Sequence, residues 1–199
     1  EPTEGRTCRD LAATIPEGAA LLVASSMPIR ELDSHMSSRS GITVFANRGA
    51  SGIDGLVSTA VGIAAVHSPT YALLGDLAFL HDAGAFLWAA REAPDLVLVI
   101  IDNGGGRIFD LLPQVALPEH ELLFTTPHRL ELARIVNAAG AWHRLVSSAA
   151  DLAPALEDAR VQKGVRVVQV DVDAARNGER HQMIAGAIER AAGAIISAA

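Results

Sequence analysis

Six short apolar runs, separated by stretches with helical spacing, organise this chain. ALLVAS (20–25), ITVFA (42–46), TYALLG (70–75), DLVLVII (95–101), AWHRLV (141–146) and VRVVQVDV (165–172) read as strands. They are largely continuous rather than alternating, the pattern of strands buried on both faces of a parallel sheet. Between them the spacing predicts helices over 27–36, 53–67, 78–92, 128–140 and 151–162, and a last helix over 179–197. Pro28 stands near the start of the first of these, where a missing N–H does no harm, and Gly140 ends the fourth. Strand–helix alternation predicts right-handed βαβ units. The fold class is therefore α/β: a doubly wound, mostly parallel six-stranded sheet with helices on both faces. Residues 112–127, LPQVALPEHELLFTTP, contain three prolines and form the longest irregular stretch. Loops of that length in a compact domain are usually functional or mobile. Residues 1–19 read as a linker and leading helix, and 20–199 as one domain.

Composition narrows the field. The 199 residues are half apolar, enough for one sizeable core. Net charge is −7 and no basic run stands out, which disfavours nucleic acid or an acidic membrane surface as partner. An anionic ligand would need local help, from a metal or from a few placed arginines. Cys8 is the one cysteine; it is expected on a surface helix, as an inert thiol. A chain with no internal disulfide fits a reducing, cytoplasmic compartment. No apolar run approaches the ~20 residues of a membrane span, and no signal peptide is visible. The start EPTEGRT has linker composition and reads as part of something longer.

Two of the apolar runs end alike. TYALLG stops on Asp76, and DLVLVII stops on Asp102, Asn103 and three glycines. Ligands in open parallel sheets bind beyond the carboxyl ends of the strands. Neighbouring strands lie about 4.8 Å apart, so a carboxylate and an amide oxygen there can share a cation. Low-charge, oxygen-only coordination suits magnesium, which keeps its other positions for phosphate and water. Glycines let the backbone approach closely, and turn N–H groups form an anion nest. Alone, an Asp at a helix start is commonly a cap and Asn-Gly commonly a turn. Together at two strand ends, with residues 78–101 between them, they are more specific.

Gly75-Asp76-Leu77 followed by Asp102-Asn103 resembles the metal–diphosphate motif of thiamin-diphosphate enzymes, usually GDG…NN. Leu77, GGGRIFDLLP, SSMPIREL (25–32) and FANRGASGIDGLVSTA (45–60) are similar to one family among them. These are the menaquinone-pathway synthases that make 2-succinyl-5-enolpyruvyl-6-hydroxy-3-cyclohexene-1-carboxylate. Nearly the whole chain resembles their C-terminal, diphosphate-binding domain. The resemblance implies thiamin diphosphate with Mg2+ or Mn2+ as cofactors. It implies that Asp76 and Asn103 bind the metal through side chains and Gly105 through its carbonyl, with Gly75, Leu77 and Gly106 beside the diphosphate. Ile53 is then a wedge beneath the thiazolium, and Ile108, Phe109 and Leu112 surround cofactor or substrate. Arg30 and Arg48, with Ser26, are expected to bind substrate carboxylates; arginine suits that task through bidentate, permanent charge. Asp102 departs from the usual Asn, adding a carboxylate that would either tighten the metal or repel the diphosphate. Arg107 stands at a position that is polar but not usually arginine in that family, and receives no role.

Other chemistries lack anchors. The seven histidines form no zinc-ligand spacing, and none is given a general-base role. There is no G-x-S-x-G, and neither GASGIDG nor GGGRIF fits G-x-G-x-x-G. The family resemblance implies decarboxylation of 2-oxoglutarate and addition of the succinyl unit to isochorismate. It places the activating glutamate on a separate N-terminal pyrimidine-binding domain, so no catalytic residue is expected in this chain. That domain is the expected partner, within a homo-oligomer (dimer or tetramer), and an exposed apolar face is expected where it docks. Alternatives are the matching domain of an acetolactate synthase-like enzyme or a 2-oxoacid decarboxylase, and a non-catalytic interaction module.

Overall fold

The computed structural model describes residues 2–49 and 52–197; Ala50 and Ser51 of the NRGASGIDG stretch lie outside them. Among the described residues the strands are β1 (Ala20–Val23), β2 (Thr43–Phe45), β3 (Thr70–Gly75), β4 (Leu96–Asp102), β5 (Trp142–Val146) and β6 (Val165–Asp171). All pair in parallel, in the order β2-β1-β3-β4-β6-β5. The helices are α1 (Glu4–Thr14), α2 (Met27–His35), α3 (Leu56–Ala64), α4 (Asp76–His81), α5 (Ala83–Glu92), α6 (Leu132–Ala138), α7 (Leu152–Val161) and α8 (Ala174–Ser197).

Successive strand residues point to opposite faces, and both faces are covered. Leu73, Val97, Val99 and Val168 pack with α1, α2 and α7; Leu74, Leu98, Ile100 and Val167 pack with α3, α5 and α6. The chain leaves β1 for β2 on one side and β3 on the other, which makes the β1/β3 junction the switch point of the sheet.

Several predicted helices are shorter or divided, for identifiable reasons. The helix expected over 53–67 is α3 alone, because Gly52 and Gly55 adopt φ of 57° and 63° and turn the chain first. The helix expected over 78–92 is split at Asp82. The Asp82 carboxylate instead accepts from Ser58 N at 2.6 Å and Ser58 Oγ at 3.1 Å. It thereby caps α3, whose own cap residue, Gly55, has no side chain. The helix expected from 128 starts at Leu132, since Arg129 adopts φ 54°. The last helix begins earlier than predicted, near Asp173, whose Oδ1 accepts Arg176 N–H at 3.2 Å. Residues 112–127 are not shapeless: a 3-10 turn (Pro113–Ala116) and a π-helical turn (Glu121–Thr125) order them.

The surface position expected for Cys8 is wrong. Cys8 is fully buried on α1, its Sγ 3.8 Å from the Pro28 carbonyl oxygen, and burial pushes its thiol far up. Helix α1 reads as polar, yet Thr7, Cys8, Leu11 and Ala12 form a buried stripe at helical spacing. A thiol so protonated and enclosed is inert.

Candidate functional site

The carboxyl ends of β1, β3 and β4 open into a cavity of about 490 Å³. Strands β3 and β4 are direct neighbours, with Gly75 opposite Ile101, so the turns carrying Asp76 and Asn103 emerge side by side. Both residues line the cavity, as do Gly75, Leu77, Gly105 and Gly106.

Asp76 is 1% exposed. Its Oδ1 accepts the Leu77 N–H at 2.6 Å; its Oδ2 accepts the Gly105 N–H at 2.8 Å and faces His128 Nε2 at 3.2 Å. Burial pushes its carboxyl up to about 6, the Asp102 charge adds to the rise, and the Leu77 and His128 contacts oppose it. Asn103 donates through Nδ2 to Glu4 Oε1 at 2.7 Å, which leaves Asn103 Oδ1 as the free end of the amide. That oxygen is buried with no hydrogen-bond partner. A buried acceptor without a partner is costly, and here it lines the same cavity as Asp76. The donor set therefore fits a hard divalent cation. The Gly105 carbonyl already accepts Arg107 N–H at 2.9 Å, leaving its second lone pair.

The glycines are dictated by close approach. A Cβ on Gly105 would lie 2.2 Å from the Thr125 carbonyl oxygen, and one on Gly106 would lie 2.4 Å from that of Phe124. The segment carrying Thr125 thus rests directly on the glycine turn, and Gly106 N–H donates to Thr125 O at 2.8 Å. Asp102 stands near Asp76, and one of its oxygens, Oδ2, accepts from Gln169 Nε2 at 2.7 Å.

Of the other predicted residues, Ser26, Ile53, Ile108 and Phe109 line the cavity, whereas Leu112, Arg30 and Arg48 do not. Arg30 is exposed and folds back on the end of β1, donating to the Ser25 and Ser26 carbonyls at 3.2 and 2.8 Å. Arg48 is exposed in the turn after β2 and has no hydrogen-bond or ion-pair partner among the described residues. Sequence reasoning gave Arg107 no role. It lines the cavity, its Nε donating to the Asn103 carbonyl at 3.1 Å and its NH1 facing Asp110 at 3.4 Å.

Glu4 and His128 were missed. Glu4 is 1% exposed, and burial pushes its carboxyl up to about 7 although the Asn103 amide pulls the other way. It lies in a polar opening helix, 99 positions from Asn103, so no local signal marks it. His128 was read as the first residue of the helix expected over 128–140, so nothing local marked it.

Comparison with known proteins accords with this geometry. Residues 30–170 match the family described as thiamine pyrophosphate enzyme, C-terminal TPP binding domain. The chain belongs to that family. It is 41% identical over 195 residues to the 2-succinyl-5-enolpyruvyl-6-hydroxy-3-cyclohexene-1-carboxylate synthase of Thermobifida fusca, a match covering 95% of this chain and 34% of that protein. Proteins of the same name from Myxococcus xanthus (41%, covering 92% of this chain and 32% of that one) and Desulfitobacterium hafniense (38%, 91% and 33%) are similar. The chain spans about a third of the length of these relatives. An X-ray structure described as that of a thiamin diphosphate-dependent enzyme isolated from Mycobacterium smegmatis superposes with a TM-score of 0.66 at 22% identity. It covers 86% of this chain and 32% of that one, and at that identity it speaks for the fold alone.

Proposed function

We propose that this domain holds the metal–diphosphate end of thiamin diphosphate in a 2-succinyl-5-enolpyruvyl-6-hydroxy-3-cyclohexene-1-carboxylate synthase. The whole enzyme would decarboxylate 2-oxoglutarate and add the succinyl unit to isochorismate. The observation that carries the reading is the unpartnered, buried Oδ1 of Asn103, a residue that lines the same cavity as Asp76, at the ends of β3 and β4. The choice of synthase rests on the name shared by the relatives.

When bound, thiamin diphosphate supplies the electron sink for the decarboxylation. This chain's own residues bind and orient. Asp76 Oδ1 and Asn103 Oδ1, with the Gly105 carbonyl, would hold Mg2+ or Mn2+, and that ion would carry the charge of the phosphates, because the Gly105 and Gly106 N–H groups are already donated to Asp76 and Thr125. Ile53, Leu77, Ile108 and Phe109 give the cavity an apolar wall that keeps water from the reacting end. Arg30, hydrogen-bonded to the Ser25 and Ser26 carbonyls, and Arg48, in the turn after β2, would receive the carboxylates of the two substrates, with Ser26 in the cavity lining and Leu112 contributing from outside it. Asp102 is not a ligand in this reading. The activating glutamate belongs to an N-terminal pyrimidine-binding domain in the remaining two thirds of the enzyme, assembled as a homo-oligomer. A cytoplasmic location suits this role; among the described residues no helix is long and apolar enough to cross a membrane.

Turnover of 2-oxoglutarate and isochorismate, with magnesium and thiamin diphosphate, tests the reading. The full-length enzyme is expected to be active, and the 199-residue chain at least ~10³-fold slower because the general acid–base partner is absent. Robust turnover by the chain alone contradicts the division of labour. A full-length enzyme that accepts pyruvate and ignores isochorismate contradicts the substrate assignment.

A further inference from the structure

His128 touches the candidate metal site from outside it. Its Nε2 lies 3.2 Å from Asp76 Oδ2, and its Nδ1 lies 2.9 Å from the backbone nitrogen of Leu130. A backbone N–H can only donate, so Nδ1 must supply the lone pair. The single proton of the neutral ring is then on Nε2, directed at the carboxylate. Asp76 Oδ2 accordingly accepts two hydrogen bonds, from His128 and Gly105, whereas Oδ1 accepts one, from Leu77. With two lone pairs on each oxygen, the vacant acceptor position of Asp76 lies on Oδ1.

Asp76, Asp102 and His128 each place one ligand atom within 4.8 Å of the others. On composition alone that trio suits a transition metal. The hydrogen bonds argue otherwise for the imidazole: Nδ1 is engaged by Leu130 and Nε2 carries the proton, so the ring has no lone pair to offer a metal. The geometry assigns His128 to positioning: it fixes the Asp76 carboxylate so that Oδ1 faces the metal, and it is not itself a ligand. This rests on the metal-site reading above and adds a residue from a distant segment to it. It also gives the irregular stretch a task. Thr125 binds the glycine turn, His128 binds the first metal-site carboxylate, and Arg129, at φ 54°, turns the chain back toward α6. Residues 125–128 thus brace both strand-end turns at once. Outer partners of this kind typically change metal affinity about 10- to 100-fold.

Manganese titration of the full-length enzyme with thiamin diphosphate, followed by electron paramagnetic resonance, tests the assignment in three proteins. Wild type is expected to bind one ion. His128→Leu, which removes the donor, is expected to bind it roughly 10- to 100-fold more weakly. His128→Gln, whose amide N–H reaches the same place as Nε2–H, is expected to restore most of the loss. Pulsed spectra of the wild-type complex are expected to show no directly bonded imidazole nitrogen. Such a nitrogen signal, wild-type affinity in His128→Leu, or equal losses in both variants would overturn the assignment. The nitrogen measurement needs no variant, so it decides even where a substitution impairs folding. Failure of wild type to bind manganese would instead overturn the metal-site reading itself.

Discussion

At the residue scale, the site is a small set of buried oxygens whose orientations are set by the hydrogen-bond partners around them. Glu4 fixes which end of the Asn103 amide is free. Its own carboxyl, pushed up to about 7 from 4.5 by burial, carries a pH consequence. A carboxyl with a raised folded-state value binds protons more tightly in the folded chain, so its contribution to stability falls as pH rises between about 4.5 and 7. Glu4→Gln keeps an acceptor for Asn103 and abolishes the titration. The metal-free Glu4→Gln protein is expected to melt close to wild type at pH 4.5 and several degrees above it at pH 8. A melting difference that is flat across that range would contradict the buried, titrating Glu4. Asp76 and Asn103 were legible in the sequence because each closes an apolar run and precedes a turn. Glu4 and His128 were not, because their roles depend on contacts 99 and 52 positions away, and neither residue interrupts a pattern.

At the element scale, all six strands were legible: burial on both faces leaves near-continuous apolar runs in β1, β3, β4 and β6, while the edge strands β2 and β5 are only partly buried and stand out by their place between helical stretches. Helix ends were less so, because distant side chains decide them. Asp82 stands within a continuous helical pattern, but its carboxylate is taken by the start of α3, so the helix divides there. Asp82→Ala is expected to remove that cap and lower stability by about 1 kcal/mol. This corresponds to a drop of about 2–4 °C in Tm for a chain of this size. Calorimetric melts of the metal-free protein measure it, and an unchanged Tm would show that Ser58 needs no such partner. Helix α1 was misjudged as surface because polar residues dominate it. Its burial is a matter of a narrow stripe against α2 and α7, with Glu4 committed to the site.

At the scale of the whole molecule, an acidic domain presents one largely apolar cavity at its sheet's switch point, and apolar residues continue around that end. Leu111, Leu112, Val115, Leu117, Leu122 and Leu123 are each at least 41% exposed, in the segments that rest on the glycine turn. Such a face beside a cofactor cavity accords with a neighbouring domain that completes the site, as the relatives' threefold greater length allows. Doubly wound topology explains why the meeting of Asp76 and Asn103 at one cavity was foreseeable: it brings the ends of β3 and β4 together whatever the loops do. In the proposed function, Asp76 and Asn103 share one divalent ion. Anomalous diffraction from crystals of the full-length enzyme grown with Mn2+ and thiamin diphosphate tests it most directly. A single manganese peak is expected in this cavity, in bonding contact with Asp76 Oδ1 and Asn103 Oδ1. A peak elsewhere, or one bonded to only one of these two side chains, would contradict it.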